Sequence, residues 1–153
     1  MGCVHDESKH SDGLRVLIGL NSVALSRAVI VRVYEDRERV PGDYRVLVDR
    51  LWPRGIRKEA ADLDLWAKNI APSPELRKWY GHDVARFEEF KQLYAAELNA
   101  STKENLLDEL IRKAGSGQLL LLTATRDVEH SAATVLQSII VSKLDTNGQT
   151  QRA

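Results

Sequence analysis

Gln118-Leu119-Leu120-Leu121-Leu122-Thr123 is an unbroken apolar run closed by a hydroxyl residue. A strand with one wet face alternates apolar and polar residues, because successive side chains point to opposite faces. This run does not alternate, so it reads as a central strand buried on both faces, as in a parallel sheet between two layers. Gly115 and Gly117 stop a helical pattern just before it, and the polar turn Thr123–Glu129 follows it. A helix, a buried strand, a turn and a second helix in that order predict an α/β fold.

Working outward, Ala28–Tyr34 is β-branched with Val29, Val31 and Val33 on one face, and Tyr44–Leu51 is a second strand. In the latter, Val46 and Val48 share one face and Leu47 and Leu51 the other, so both faces are expected to be covered. Leu63–Ile70 fits a short extended piece or a helical turn. Ser73-Pro74-Glu75 is a helix start, with a capping hydroxyl, a proline at the first position and an acid against the dipole. That helix buries Leu76, Trp79 and Tyr80 and ends at Gly81. Asp83 caps a second helix to about Asn99, with Phe87, Phe90, Tyr94 and Leu98 on one stripe. Ser101-Thr102-Lys103-Glu104 has the capping-box pattern and opens a third. A last helix buries Ala132, Val135, Leu136, Ile139 and Ile140. The expectation is one compact α/β domain over residues 28–144, a small, mostly parallel sheet flanked by helices, with a predominantly helical middle section. Residues 1–27 read as an N-terminal extension, partly disordered, with some order around Leu14–Leu20. Residues 145–153 read as a frayed polar tail.

Composition narrows the class of partner. Lys+Arg and Asp+Glu are 22 each, giving a formal net charge of zero, so any nucleic-acid partner would need a local basic patch. No run approaches the roughly 20 apolar residues of a membrane span, and the segment Val16–Leu20 lies behind an acidic-polar start unlike a signal peptide. The sole cysteine, Cys3, excludes an intrachain disulfide and a thiolate cluster, and a cytoplasmic location is expected. Asp6 stands where an acylation signal needs Ser or Thr. Cys3, His5 and His10 are too irregularly spaced for a metal site, so no metal ligand is assigned, and the sequence does not identify a cofactor.

Two strand ends carry the chemistry. The first is Asp49-Arg50-Leu51-Trp52-Pro53-Arg54-Gly55, where a guanidinium pair and an indole surround a turn. The second is Thr123-Ala124-Thr125-Arg126-Asp127-Val128-Glu129-His130-Ser131, between a buried strand and a helix. In open α/β sheets ligands bind outside the carboxyl ends of strands. If the two strands are parallel neighbours, Arg50, Trp52 and Arg54 meet Thr125, Arg126, Asp127 and His130 in one crevice. Antiparallel pairing would separate the two loops. Arg54 follows a proline, which preorganises its fork for a carboxylate or phosphate; a solvated surface arginine is the plain alternative. Trp52 either stacks on a ring or seals the core. Asp127 is a helix cap, a partner for Arg50, or a general base. His130 is a proton-transfer candidate or a structural histidine. Asp49 and Arg50 point to opposite faces, so at least one needs a distant partner. Lys68, Arg57, Lys58, Arg77 and His82 extend the positive character. Phosphate-loop, dinucleotide-binding, nucleophile-elbow and His-Glu-x-x-His motifs are missing.

Val46–Gly55, Trp66 with Lys68, Ala71-Pro72-Ser73, Leu76–Asp83 and Arg126-Asp127…His130 together resemble the YeaO-like family of small bacterial proteins of unknown function. The resemblance covers residues 28–142 and implies a compact α/β domain without an activity to transfer. Relatives usually follow the turn histidine with Asn, where this chain has Ser131. The functional expectation is a crevice for a phosphate- or nucleotide-like anion: Arg50, Arg54 and Lys68 bind, Trp52, Thr125 and Arg126 line, and Asp127 and His130 move protons. The alternatives are a non-catalytic nucleic-acid- or protein-binding module on the Trp52/Arg54/Arg57/Lys58 surface, and a purely structural protein.

Overall fold

A computed structural model describes residues 27–152. The expected extension and the question of Cys3, His5 and His10 fall outside them. The strands are β1 (Ala28–Arg32), β2 (Tyr44–Leu47), β3 (Leu65–Trp66) and β4 (Leu119–Thr123). The helices are α1 (Lys58–Ala61), α2 (Pro74–Tyr80), α3 (Phe87–Leu98), α4 (Ser101–Ala114) and α5 (Ala132–Arg152). The sheet order is β1-β4-β2-β3, and every pairing is parallel.

The all-leucine strand is central, as its composition demands. Val29 to Val31 pair with Leu120 to Leu122 on one side, and Val46 and Leu47 with Leu121 and Leu122 on the other. Leu119 and Leu121 enter a large core with Val46, Val48 and the α2–α5 side chains, while Leu120 and Leu122 join Leu47 in a smaller core on the opposite face. Each of these wholly buried leucines contributes about 1.5–3 kcal/mol relative to an exposed one.

Two strands are shorter than their apolar runs. β1 gives way at Val33 to a 3₁₀ turn, Val33–Glu35, which turns Tyr34 out to solvent. β2 stops at Leu47, although the Val48 N–H still donates to Leu122 at 3.0 Å. Beyond that point the Asp49 carboxylate takes over cross-strand bonding, and Leu51 swings out to 67% exposure instead of covering a face. Leu63–Ile70 splits into β3 and a 3₁₀ turn, Lys68–Ile70.

Helix boundaries follow their caps. Ser73 accepts from the Leu76 N–H at 3.1 Å, Pro74 opens α2, and Gly81 closes it in the left-handed region at φ 54°. Asp83 caps a 3₁₀ turn that feeds α3, whose Phe87, Phe90, Tyr94 and Leu98 are all buried. The expected capping box at Ser101 does not form: Ser101 is already helical, Ala100 is the cap, and the Ala100 carbonyl accepts from Glu104. α5 runs through Arg152, past the point at Asp145 where the apolar pattern fades.

The amino ends of β2, β3 and β4 are tied by charge. Arg39 forks between the carboxylates of Asp62 and Asp64 at 3.0–3.3 Å, and Arg37 bridges Asp43 and Gln118. Arg45, 1% exposed, pairs with Asp36 and donates to the carbonyls of Ala61 and Asp62. Gly42 and Gly117 cross in contact here, and a Cβ on Gly117 would lie 2.0 Å from the Gly42 carbonyl oxygen.

Candidate functional site

Because β2 and β4 are parallel neighbours, the loops leaving their carboxyl ends lie side by side. Between them and the start of α2 is a cleft of about 680 Å³, a volume suited to a small organic ligand. Most of its lining comes from four places. The β2 loop supplies Asp49–Arg54, the β4 loop Thr123–Thr125, α2 supplies Arg77, Lys78 and Tyr80, and α5 opens on it through Ser131–Ala133.

A further wall, Ala71 and Pro72, is held in place by hydrogen bonds to it and to the adjoining Ile70 and Ser73. Arg50 donates to the Pro72 carbonyl at 3.1 Å, Lys103 to Ala71 at 2.9 Å and Tyr94 to Ile70 at 2.7 Å. Glu97 accepts from both the amide and the hydroxyl of Ser73. These bonds occupy the carbonyls that end the 3₁₀ turn, so the wall is set before any ligand arrives. Desolvation lowers the Lys103 ammonium and raises the Tyr94 phenol. On the other side Tyr80 stacks on Phe90 at 4.2 Å and donates to the His130 carbonyl at 2.6 Å, joining α2 and α3 to the β4 loop.

Asp49 is the acid of the cleft. Its carboxylate accepts from the Thr123 hydroxyl at 2.7 Å and from the Ala124 N–H at 2.8 Å, which supplies the distant partner that an Asp on this strand requires. Burial raises its pKa, opposed by those two donors and by the charge of Arg77. The facing cations differ from it in commitment. Arg50 has carbonyl partners and no ion pair among the described residues. Arg54, Arg77 and Lys78 are exposed, and among the described residues their side chains make no hydrogen bond or ion pair. His82, in the left-handed region at φ 57°, sits at the rim.

Of the eight residues singled out from the sequence, Arg50, Trp52, Arg54 and Thr125 line the cleft. Lys68, Arg126, Asp127 and His130 do not. Lys68 lies over the Trp66 ring at 5.0 Å. Asp127 accepts from the His130 N–H and holds its Nδ1 at 2.9 Å, while the imidazole meets Phe87 edge-on at 5.2 Å. The pair is thus a local turn lock. Arg126 is exposed on the same turn. Trp52 donates to Ile56 at 2.6 Å and meets Trp66 edge-on at 5.4 Å, so it closes the smaller core while showing one side to the cleft. Ser131 caps α5 by accepting from the Thr134 N–H at 3.4 Å, a duty that Asn performs equally well. The sequence assigns no role in the site to Tyr34 or Lys78, marks Asp49 only as a buried charge in need of a partner, and marks Arg77 only as an extension of the positive character. A cationic pair on a helix beginning so soon after a strand end was the available signal for Arg77 and Lys78.

The profile of the family described as the inactive DUF488-N3 subclade matches residues 27–153. The chain belongs to that family. An uncharacterised protein of Mycobacterium tuberculosis is 44% identical over 115 residues, covering 75% of this chain and 94% of the relative. Uncharacterised protein YeaO of Escherichia coli is 42% identical over 105 residues, covering 69% of this chain and 89% of its own length. The YeaO-like resemblance therefore holds, and these relatives are bacterial proteins. No solved structure matches. No helix among the described residues is long and apolar enough to cross a membrane.

Proposed function

We propose that the cleft binds a small anionic molecule and acts as a binding site without turnover. The observation that carries this reading is the imbalance of its lining: Arg50, Arg54, Arg77 and Lys78 face it against Asp49 alone. A cationic cleft with low-dielectric walls concentrates anions. Arginine forks suit carboxylate and phosphate oxygens in particular. The amino end of α5 adds its positive dipole end at the same opening.

The absence of turnover is supported by where the acid and base groups sit. The imidazole of His130 is engaged with Asp127 and Phe87 away from the cleft lining. Asp49 is closed by two donors. The family's description as an inactive subclade points the same way.

Titration with inorganic phosphate and pyrophosphate at low salt, followed by thermal denaturation, tests the reading. An anion at 100 times its dissociation constant stabilises the fold by about 2.7 kcal/mol. Arg54→Ala and Arg77→Ala should abolish that gain while leaving the unliganded melting temperature unchanged. Unaltered anion stabilisation in both variants would remove the proposal.

A further inference from the structure

We infer that the anion recognised by the cleft is a nucleotide, its phosphate on the arginines and its base on Tyr34. This rests on the anion-binding reading above and adds a second half to the ligand.

Tyr34 is 48% exposed at the cleft rim, and it belongs to neither apolar core. An aromatic ring that packs nothing would ordinarily be loose, yet this one is fastened at two points. Its hydroxyl donates to the Arg54 carbonyl at 2.8 Å, and the Arg32 guanidinium lies over its ring, 5.6 Å from the centroid. Arg32 is itself held by the Thr125 carbonyl and the Glu35 carboxylate, each at 2.9 Å. Among the described residues no other ring packs against Tyr34. The result is an ordered aromatic face beside a cationic cleft, with the ordering cost already met before binding.

An inorganic anion has no use for that face, nor for Leu51, which lines the same cleft while two-thirds exposed. A ligand with a flat apolar ring and a phosphate uses both. Trp52 is a poorer platform, since its N–H is committed to Ile56 and its ring to Trp66. The bond from Tyr34 to the Arg54 backbone couples the two halves: the residue that would hold the phosphate and the ring that would hold the base share one hydrogen bond. Stacking of a base on an aromatic ring is tolerant of base identity.

The experiment compares AMP, ribose 5-phosphate and inorganic phosphate by calorimetric titration on the full chain and its Tyr34→Ala and Tyr34→Phe variants. AMP should bind about tenfold or more tightly than ribose 5-phosphate, the size of one stacked base. Tyr34→Ala should erase that ratio; Tyr34→Phe, which keeps the ring, should keep most of it. A short single-stranded oligonucleotide distinguishes the source of the nucleotide. Tighter binding than AMP with a steep salt dependence assigns it to a nucleic-acid strand, and weaker binding assigns it to a free nucleotide. Equal affinity for AMP and ribose 5-phosphate, or an indifferent Tyr34→Ala variant, overturns the inference while the anion site stands. Failure of every phosphate probe removes both.

Discussion

The two ends of the sheet use the same residue types to opposite purposes. At the amino ends of β2, β3 and β4, Arg37, Arg39 and Arg45 are matched by Asp36, Asp43, Asp62 and Asp64. At the carboxyl ends, Arg50, Arg54 and Arg77 face one carboxylate that is already closed by a hydroxyl and an amide. Paired charge holds loops in place; unpaired charge gathered in a cleft is available to something else. Stability should therefore respond to the first end and ligand binding to the second.

The largest effect expected is Arg45→Met. It leaves Asp36 and three carbonyls, those of Arg37, Ala61 and Asp62, without their buried donor, a loss on the order of 3–5 kcal/mol in urea denaturation. A loss no larger than that of a surface mutation would mean that the amino end is decorative. Gly117→Ala comes next. The new methyl overlaps the Gly42 carbonyl backbone, and relief costs about 1–3 kcal/mol. Unchanged denaturation would show that the Gly42–Gly117 crossing can spread without penalty.

Acid separates the two ends by sign. Hydrogen bonds from Arg37 and Arg39 hold the Asp43 and Asp62 carboxyls below their ordinary value of 3.8. Their contribution is complete above that value and is lost as the pH falls through the depressed pKa. Resistance to urea denaturation should thus fall below about pH 4. Asp49 has the opposite sign, because burial raises its pKa and the folded chain holds that proton more tightly. The stability difference between Asp49→Asn and wild type should be largest at neutral pH and shrink as the pH falls through the Asp49 pKa. A constant difference would mean that Asp49 carries no pH-dependent cost.

The smallest stability effects belong to the cleft. Arg54→Ala and Arg77→Ala should change folding by no more than about 0.5 kcal/mol, the range of ordinary surface substitutions. A larger loss would place these arginines with the structural network instead.

Much of the fold was legible because it rests on local rules. Four consecutive leucines leave no polar face, and Ser73-Pro74-Glu75 to Gly81 states both ends of a helix. Where the chain misled, a distant group had replaced a local one. β2 ends early because Asp49 finds Thr123 and Ala124, 74 and 75 positions away. The Ser101 capping pattern is unused because the helix starts one residue sooner, at the Ala100 cap. Arg45, one apparent surface arginine among many, is buried by loops that only the finished sheet brings over it. In the cleft, parallel pairing gathered Arg50, Trp52, Arg54 and Thr125. His130 and Asp127 satisfy each other within their own turn, and three-residue spacing alone does not reveal which way such a pair faces. Tyr34 was hidden because its strand run gives no warning of the 3₁₀ turn that exposes it.

The sheet order also sets a timetable. β4 lies between β1 and β2, yet it follows them by more than seventy residues. Until the chain reaches Leu119, β1 has no neighbour to pair with among the described residues, and β2 has only the two residues of β3. Loop closure must precede most of the favourable contacts, which makes assembly of this sheet intrinsically slow. During synthesis the α2–α4 helices would emerge and pair first, leaving two apolar strand edges open until four leucines arrive to close them together.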